Sequence, residues 1–330
     1  MDKGGKNMGE YFPMLVLSFA LSLGLVWVLM PKLIAFLHKI SYNQTVSEYS
    51  LDEYKAKAKT PTMGGTLFVV VPLVVTVILF PSVFTNLQAL MVMGAYLAYG
   101  MIGFIDDFII VVKKDNEGLK PWAKFLMQLL VAVVFYWIYK DFVSTDVVIP
   151  FVNAVLPLGA FYVVFAFIMF TGESNAVNLT DGMDGLAAGC SFLAISPYVL
   201  FALQQNQTII AAFLLAVMGA LLGYLKYNVH PAKIFMGDAG SLALGGLLAA
   251  VAMILKMELS LLVIGGVFLW ETVCVVIQQV AVRVFKRRVF KYTPIHYSFV
   301  ISGMKEPKVV LMFWMLSLLC AVLGFVMGVL

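Results

Sequence analysis

The chain has 330 residues, of which 62% are hydrophobic and only 12% charged, with a net charge of +4. A soluble domain carries about 25% charged residues, so an aqueous globular class is excluded. The positive residues sit in short loops between apolar runs, which argues against nucleic acid as a partner. Cys190, Cys274 and Cys320 all lie inside apolar runs and read as small packing residues, not as a disulfide framework or metal ligands.

The first ten residues are polar and lack a signal-peptide cleavage pattern, so they are set apart as a tag or tail. A helical span needs about 20 mainly apolar residues. Candidate spans then follow with centres near Leu25, Val71, Ala95, Val131, Val164, Ala194, Leu215, Leu248, Val267 and Leu318. The predicted class is an all-α polytopic membrane protein of about ten transmembrane helices. It forms a single transmembrane catalytic domain over residues 1–330, with no sequence repeat and no soluble domain. The run 259–283 is long for one span and is expected to tilt or bend.

Alternate loops (31–63, 106–124, 173–185, 226–239 and 283–308) hold 18 of the 22 Lys and Arg residues. The exceptions are Lys3, Lys6, Lys140 and Lys256. This bias places the first set of loops in the cytoplasm and both termini outside.

The same loops hold the unusual polar residues. Lys55, Lys57 and Lys59 lead into Thr60-Pro-Thr62-Met-Gly64-Gly65. The lysines suit phosphates or simple positive-inside anchoring, but anchoring leaves Thr62 and the glycines unexplained. Asp106 and Asp107 end the third span, where two carboxylates are costly unless paired or metal-bound. They point about 100° apart on a helix, so one can hold a cation while the other accepts a proton. A solvated helix terminus is the bland alternative.

From Asn175 to Asp184, polar residues recur every third position: Asn175, Asn178, Asp181, Asp184. On helical turns these would share a face. Asn and Asp together suit a nucleobase, a ribose or a hard cation. A capping turn would need only one or two of them.

Phe235-Met-Gly237-Asp238-Ala-Gly240-Ser241 looks like a glycine-rich turn feeding a helix N-terminus. Such an end favours anions, and Asp238 there points to Mg²⁺ bridging to phosphate, with a plain N-cap as the equal alternative. Arg283 to Lys291 reads as an interfacial anchor, and His296 follows a proline turn. Glu271, inside the ninth apolar run, is either protonated or bonded to a neighbouring span.

These clusters, in this order, resemble the polyprenyl-phosphate N-acetylhexosamine-1-phosphate transferase superfamily. Within it they are similar to the phospho-N-acetylmuramoyl-pentapeptide transferase family. The resemblance rests on residues 60–65, Asp106-Asp107, residues 175–186, residues 237–241 and Pro294-Ile-His296, across about three quarters of the chain. The family pattern continues Pro-Ile with three histidines, whereas here Tyr297 and Ser298 follow His296, so only the first histidine is carried over.

The resemblance implies a Mg²⁺-dependent transfer of phospho-MurNAc-pentapeptide from UDP-MurNAc-pentapeptide to undecaprenyl phosphate. The products are lipid I and UMP. The resemblance also implies a homodimer among membrane lipids, in a bacterial cytoplasmic membrane. It implies that Asp106 is the base, and that Asp107 and Asp238 hold or orient Mg²⁺ with Asn178 beside them. Asn175, Asn178, Asp181 and Asp184 would line the nucleotide and metal pocket, with Phe235 on uracil and Gly237 in the turn. Lys57, Thr62 and Lys124 would contact phosphates, and His296 would assist near the sugar phosphate.

Two rivals stand beside this reading. One is a sister enzyme that uses UDP-GlcNAc. The other is a cation-coupled transporter relaying through Asp106, Asp181, Asp238 and Glu271, which would need its carboxylates near the bilayer midplane.

Overall fold

A computed structural model describes residues 8–40, 60–113, 118–150, 152 and 154–330. The main helices are α1 (Met8–Ile40), α2 (Gly65–Leu79), α3 (Leu87–Lys113), α4 (Pro121–Tyr139), α5 (Tyr162–Thr180) and α6 (Leu186–Gln204). They continue with α7 (Thr208–Asn228), α8 (Gly237–Ile254), α9 (Glu258–Ile264), α10 (Gly266–Phe285), α11 (Ile295–Ile301) and α12 (Glu306–Val329). Among the described residues nine helices are long and apolar enough to cross a membrane, and α2, at 15 residues, is a shorter apolar one. Each expected span centre falls in a helix of this set, so the chain is an all-α polytopic membrane protein.

The bundle is built around α8. Its span is 89% buried, against 22% for α1, so α8 is the axis and α1 a lipid-facing wall. The sequence explains this position. From Gly237 to Ile254 the helix is mostly Gly, Ala and Leu, and small residues let neighbouring backbones approach where lipid offers no hydrophobic drive. α2, α3, α5 and α6 pack on it.

The long ninth run, expected to tilt or bend as one span, is divided into two helices. It breaks at Gly265, where α9 ends and α10 begins. Two adjacent glycines, Gly265 and Gly266, lower helix propensity at that point.

The end of the bundle away from the acidic loops carries a short sheet. Asp146–Ile149 (β1) and Ala154–Pro157 (β2) form an antiparallel hairpin, with Val147 opposite Leu156. Behind it, Lys256 donates to Glu258 at 2.6 Å, and Tyr162 donates to the same carboxylate oxygen at 2.9 Å. Two lysines that broke the charge bias are therefore neutralised locally, Lys256 by Glu258 and Lys140 by Asp141.

One close approach fixes the other end. Gly103 on α3 faces the backbone of Asp238 and Ala239 at the start of α8, and a methyl group there would overlap the Asp238 carbonyl. Backbone atoms cannot swing aside as a flexible side chain can. Gly103→Ala is expected to cost about 1–3 kcal/mol of stability through overpacking. A lowered melting temperature together with lost activity checks this.

Candidate active site

Two sequence-distant segments are joined by backbone pairing. Phe235 N donates to Pro61 O at 2.8 Å, Gly64 N to Phe235 O at 2.8 Å, and Gly65 N to Met236 O at 2.8 Å. The Thr60–Gly65 stretch is therefore the partner of the turn before α8. Gly237 has φ +74, the left-handed region that glycine enters freely, and the chain turns there into α8. A Cβ on Gly237 would lie 2.9 Å from Thr62 Oγ1, which places Thr62 at the turn.

The N-terminus of α8 has no cap from its own segment. Asp107 supplies one from α3: its two oxygens accept from Asp238 N at 3.1 Å and Ala239 N at 3.0 Å. A carboxylate on the free N–H groups of a helix start is favoured by those groups and by the helix dipole. Asp107 thus orients the Asp238 turn, and the reading of Asp238 as a plain N-cap is replaced by a cap in trans.

Asp238 itself is held between two side chains. Lys124, in the first turn of α4, pairs with Oδ2, and Asn178 Nδ2 donates to Oδ1 at 2.7 Å. The Asn178 amide also reaches Ser241 Oγ at 2.9 Å. Asp238 keeps a side-chain exposure of 24% and so stays open to a ligand. Asp106 is buried beside it, within the field of Lys124 and Asp238, and accepts from Leu119 N at 2.9 Å.

The expected shared face of Asn175, Asn178, Asp181 and Asp184 is only half present. α5 ends at Thr180, so only the two asparagines lie on helix, and Asp181 is its C-cap. Asn175 donates to Thr171 O at 2.8 Å and faces Gln128 on α4, one turn below Asn178. Removal from water, then the charges of Asp238, Asp107 and Asp184, push the Asp181 carboxyl up to about 8. Asp184 turns away into a clasp: Oδ2 accepts from Ala232 N at 3.0 Å and meets His230 Nδ1 at 3.0 Å, while Asp184 N donates to Glu306 at 2.9 Å.

His296 lies in the first turn of α11 and is fully buried. Its Nδ1 lies 2.9 Å from Glu271 Oε1, and Ile295 N donates to Glu271 Oε2 at 2.7 Å. Its Nε2 has no hydrogen-bond partner among the described residues and faces Gly182, between Asp181 and Met183. Tyr297, where the family pattern has a histidine, donates its hydroxyl to Gly182 O at 3.0 Å. Ser298 closes its own loop on Tyr292. Phe235 is half-buried and has no aromatic partner among the described residues. Lys57 lies outside the described residues.

Residues 89–256 match the profile of glycosyl transferase family 4, and residues 57–69 match signature 1 of phospho-N-acetylmuramoyl-pentapeptide transferases. The phospho-N-acetylmuramoyl-pentapeptide transferase of Staphylococcus haemolyticus is 41% identical over 320 residues, covering 96% of this chain and 100% of its own. That of Geobacillus sp. (strain WCH70) is 42% identical over 313 residues, covering 94% and 96%. That of Anoxybacillus flavithermus is 43% identical over 300 residues, covering 90% and 92%. The chain belongs to the phospho-N-acetylmuramoyl-pentapeptide transferase family. It is a transferase and a multi-pass bacterial membrane protein.

For a member of this transferase family, the site is legible as an acidic centre short of positive charge. Asp106, Asp107, Asp181 and Asp238 converge, and Lys124 is the one cation that a described hydrogen bond brings to them. Oxygen donors of this kind fit Mg²⁺, which takes one or two carboxylates plus substrate phosphates. Asp107, Asp238 and the Asn178 carbonyl oxygen would hold or orient the ion.

Sequence reasoning missed His230 and Glu306, which complete the Asp184 clasp, and Asn228, which accepts from Gly185 N at 3.0 Å. Each ends, follows or opens a helix and reads as an ordinary helix boundary. The scarcity of histidine, three in the chain, is the one signal that could have found His230.

Tyr297→Phe removes the donor to Gly182 O and keeps the ring. A net hydrogen bond is worth about 1 kcal/mol. Activity is expected to fall about five-fold with no change in fold, read by initial rates and circular dichroism.

Proposed function

We propose that this chain transfers the phospho-MurNAc-pentapeptide of UDP-MurNAc-pentapeptide to undecaprenyl phosphate, giving lipid I and UMP, with Mg²⁺ as cofactor. The observation that carries the reading is the Asp238 centre. A carboxylate open to ligand is clamped by Lys124, Asn178 and the Asp107-capped turn, at the end of the bundle where the basic loops gather. A soluble nucleotide donor and a membrane-bound phosphate can both reach that end.

In the reaction an oxygen of the lipid phosphate attacks the sugar-bearing phosphorus, a new P–O–P bond forms, and the bond to UMP breaks. Mg²⁺, when bound, would neutralise the pyrophosphate and the departing UMP. Asp106, buried and fixed by Leu119 N, accepts the proton of the lipid phosphate. Lys124, Thr62 and Lys57 contact phosphate oxygens. Asn175, Asn178 and Asp181 line the nucleotide pocket, with Phe235 as the face for uracil, while Asp184 braces their loop through Ala232, His230 and Glu306. His296, its Nδ1 turned to Glu271, offers Nε2 to the sugar phosphate. A homodimer belongs to the same proposal, by family resemblance.

Two rivals are tested by one assay. The protein is reconstituted with undecaprenyl phosphate and Mg²⁺, and UMP release is measured with UDP-MurNAc-pentapeptide and with UDP-GlcNAc. The proposal expects release with the first donor only. Release with UDP-GlcNAc alone favours the sister enzyme, and solute flux without UMP favours a transporter. Against the transporter, Glu271 is engaged by His296 and Ile295 N, and the His296 ring faces Gly182 beside Asp181.

A further inference from the structure

An apolar groove of about 600 Å³ opens on the bundle surface between α1, α6, α7 and α12, apart from the acidic centre. That size lies within the range of small-ligand pockets. Leu193, Leu222 and Trp314 are among its walls, and Lys226 stands at its cytoplasmic end, in the last turn of α7. The Lys226 ammonium lies 3.6 Å from the centroid of Trp27 and 5.5 Å from that of Tyr227, and no carboxylate pairs with it among the described residues. A cation held over aromatic faces keeps its full charge for an anion. At the depth of a helix end facing the cytoplasm, the available anions are lipid headgroups, and basic pockets between spans recognise them.

We propose that this groove seats one anionic glycerophospholipid, with its phosphate on Lys226 and an acyl chain along Leu193 and Leu222. The seat touches the catalytic half of the molecule through one residue. Trp314 Nε1 donates to Gly185 O at 3.1 Å, and Gly185 follows Asp184 of the nucleotide loop. The lipid therefore packs against the brace of that loop. The acceptor lipid is a different occupant, because its phosphate must meet Asp106.

Native mass spectrometry of the full chain in neutral detergent tests this, with phosphatidylglycerol or phosphatidylcholine added. Wild type is expected to retain phosphatidylglycerol in preference. Lys226→Gln is expected to weaken that retention about five-fold, the effect of one surface lysine, and Lys226→Arg to restore it. Leu222→Trp fills the groove from an exposed position and leaves the charge in place, so it too is expected to lose the lipid. Equal retention of the two lipids by wild type overturns the proposal. So does unchanged retention in Lys226→Gln, as for a groove covered by a second copy. Displacement of the phosphatidylglycerol by equimolar undecaprenyl phosphate also overturns it, since it assigns the groove to the acceptor.

Discussion

Asp238→Asn is expected to lower the rate of UMP release by at least about 100-fold, the scale of losing a preorganised charge at a reacting phosphate. The substitution keeps the shape and leaves one oxygen to accept from Asn178, so the fold should hold. What it removes is the negative charge that Lys124 faces and that a divalent cation requires. Coulomb attraction at a half-buried site outweighs the loss of one neutral hydrogen bond several-fold. Asp106→Asn and Asp107→Asn are expected to fall by a similar factor. Asp106 loses its proton-accepting form, and Asp107 offers one oxygen where two N–H groups need one each. Initial rates at saturating Mg²⁺, with melting temperature as the control, decide it. Near-normal rates in all three variants would sink the site.

Glu271 gives the second large effect, and it separates structure from chemistry. Glu271→Ala leaves the Ile295 N–H and the His296 ring nitrogen buried with no acceptor. Breaking a buried pair of this kind costs about 3–5 kcal/mol, so a large drop in melting temperature is expected. Glu271→Gln keeps an oxygen for Ile295 N and presents an amide N–H to His296. Nδ1 must then accept, and the proton moves to Nε2. Stability should change little, while activity falls up to about 100-fold if the buried, unpartnered Nε2 has an acid–base role. Equal activity of the Gln variant and wild type would reduce His296 to packing. Melting curves and initial rates on both variants give the answer.

Much of this was readable without coordinates. The ten apolar runs follow from span length, and their sidedness from the lysine and arginine count, because hydrocarbon excludes charge whatever the packing. The acidic residues could be gathered on one side for the same reason. Asp238 in a glycine turn before a helix was legible as local chemistry, since Gly237 and the helix start are neighbours in sequence.

The roles of individual residues were not legible, and particular contacts show why. Asp107 and Ala239 are 132 positions apart, and neither residue type announces that one caps the other. Glu271 read as either protonated or bonded to a neighbouring span, and only the fold of α11 shows that its partner is His296, 25 positions on. Asp184 kept the three-residue rhythm of a helix face, yet the helix stopped at Thr180 and delivered it to His230 and Glu306. The β1–β2 hairpin carries too few alternating residues to stand out from a loop.

By itself, then, the sequence determined the membrane class, the number of apolar runs, the face that bears the chemistry and the family motifs, all of which depend on local composition. The tertiary structure alone decided which carboxylate is free for ligand and which is spent on a backbone. That choice depends on long-range hydrogen bonds whose partners only packing brings within 3 Å or so.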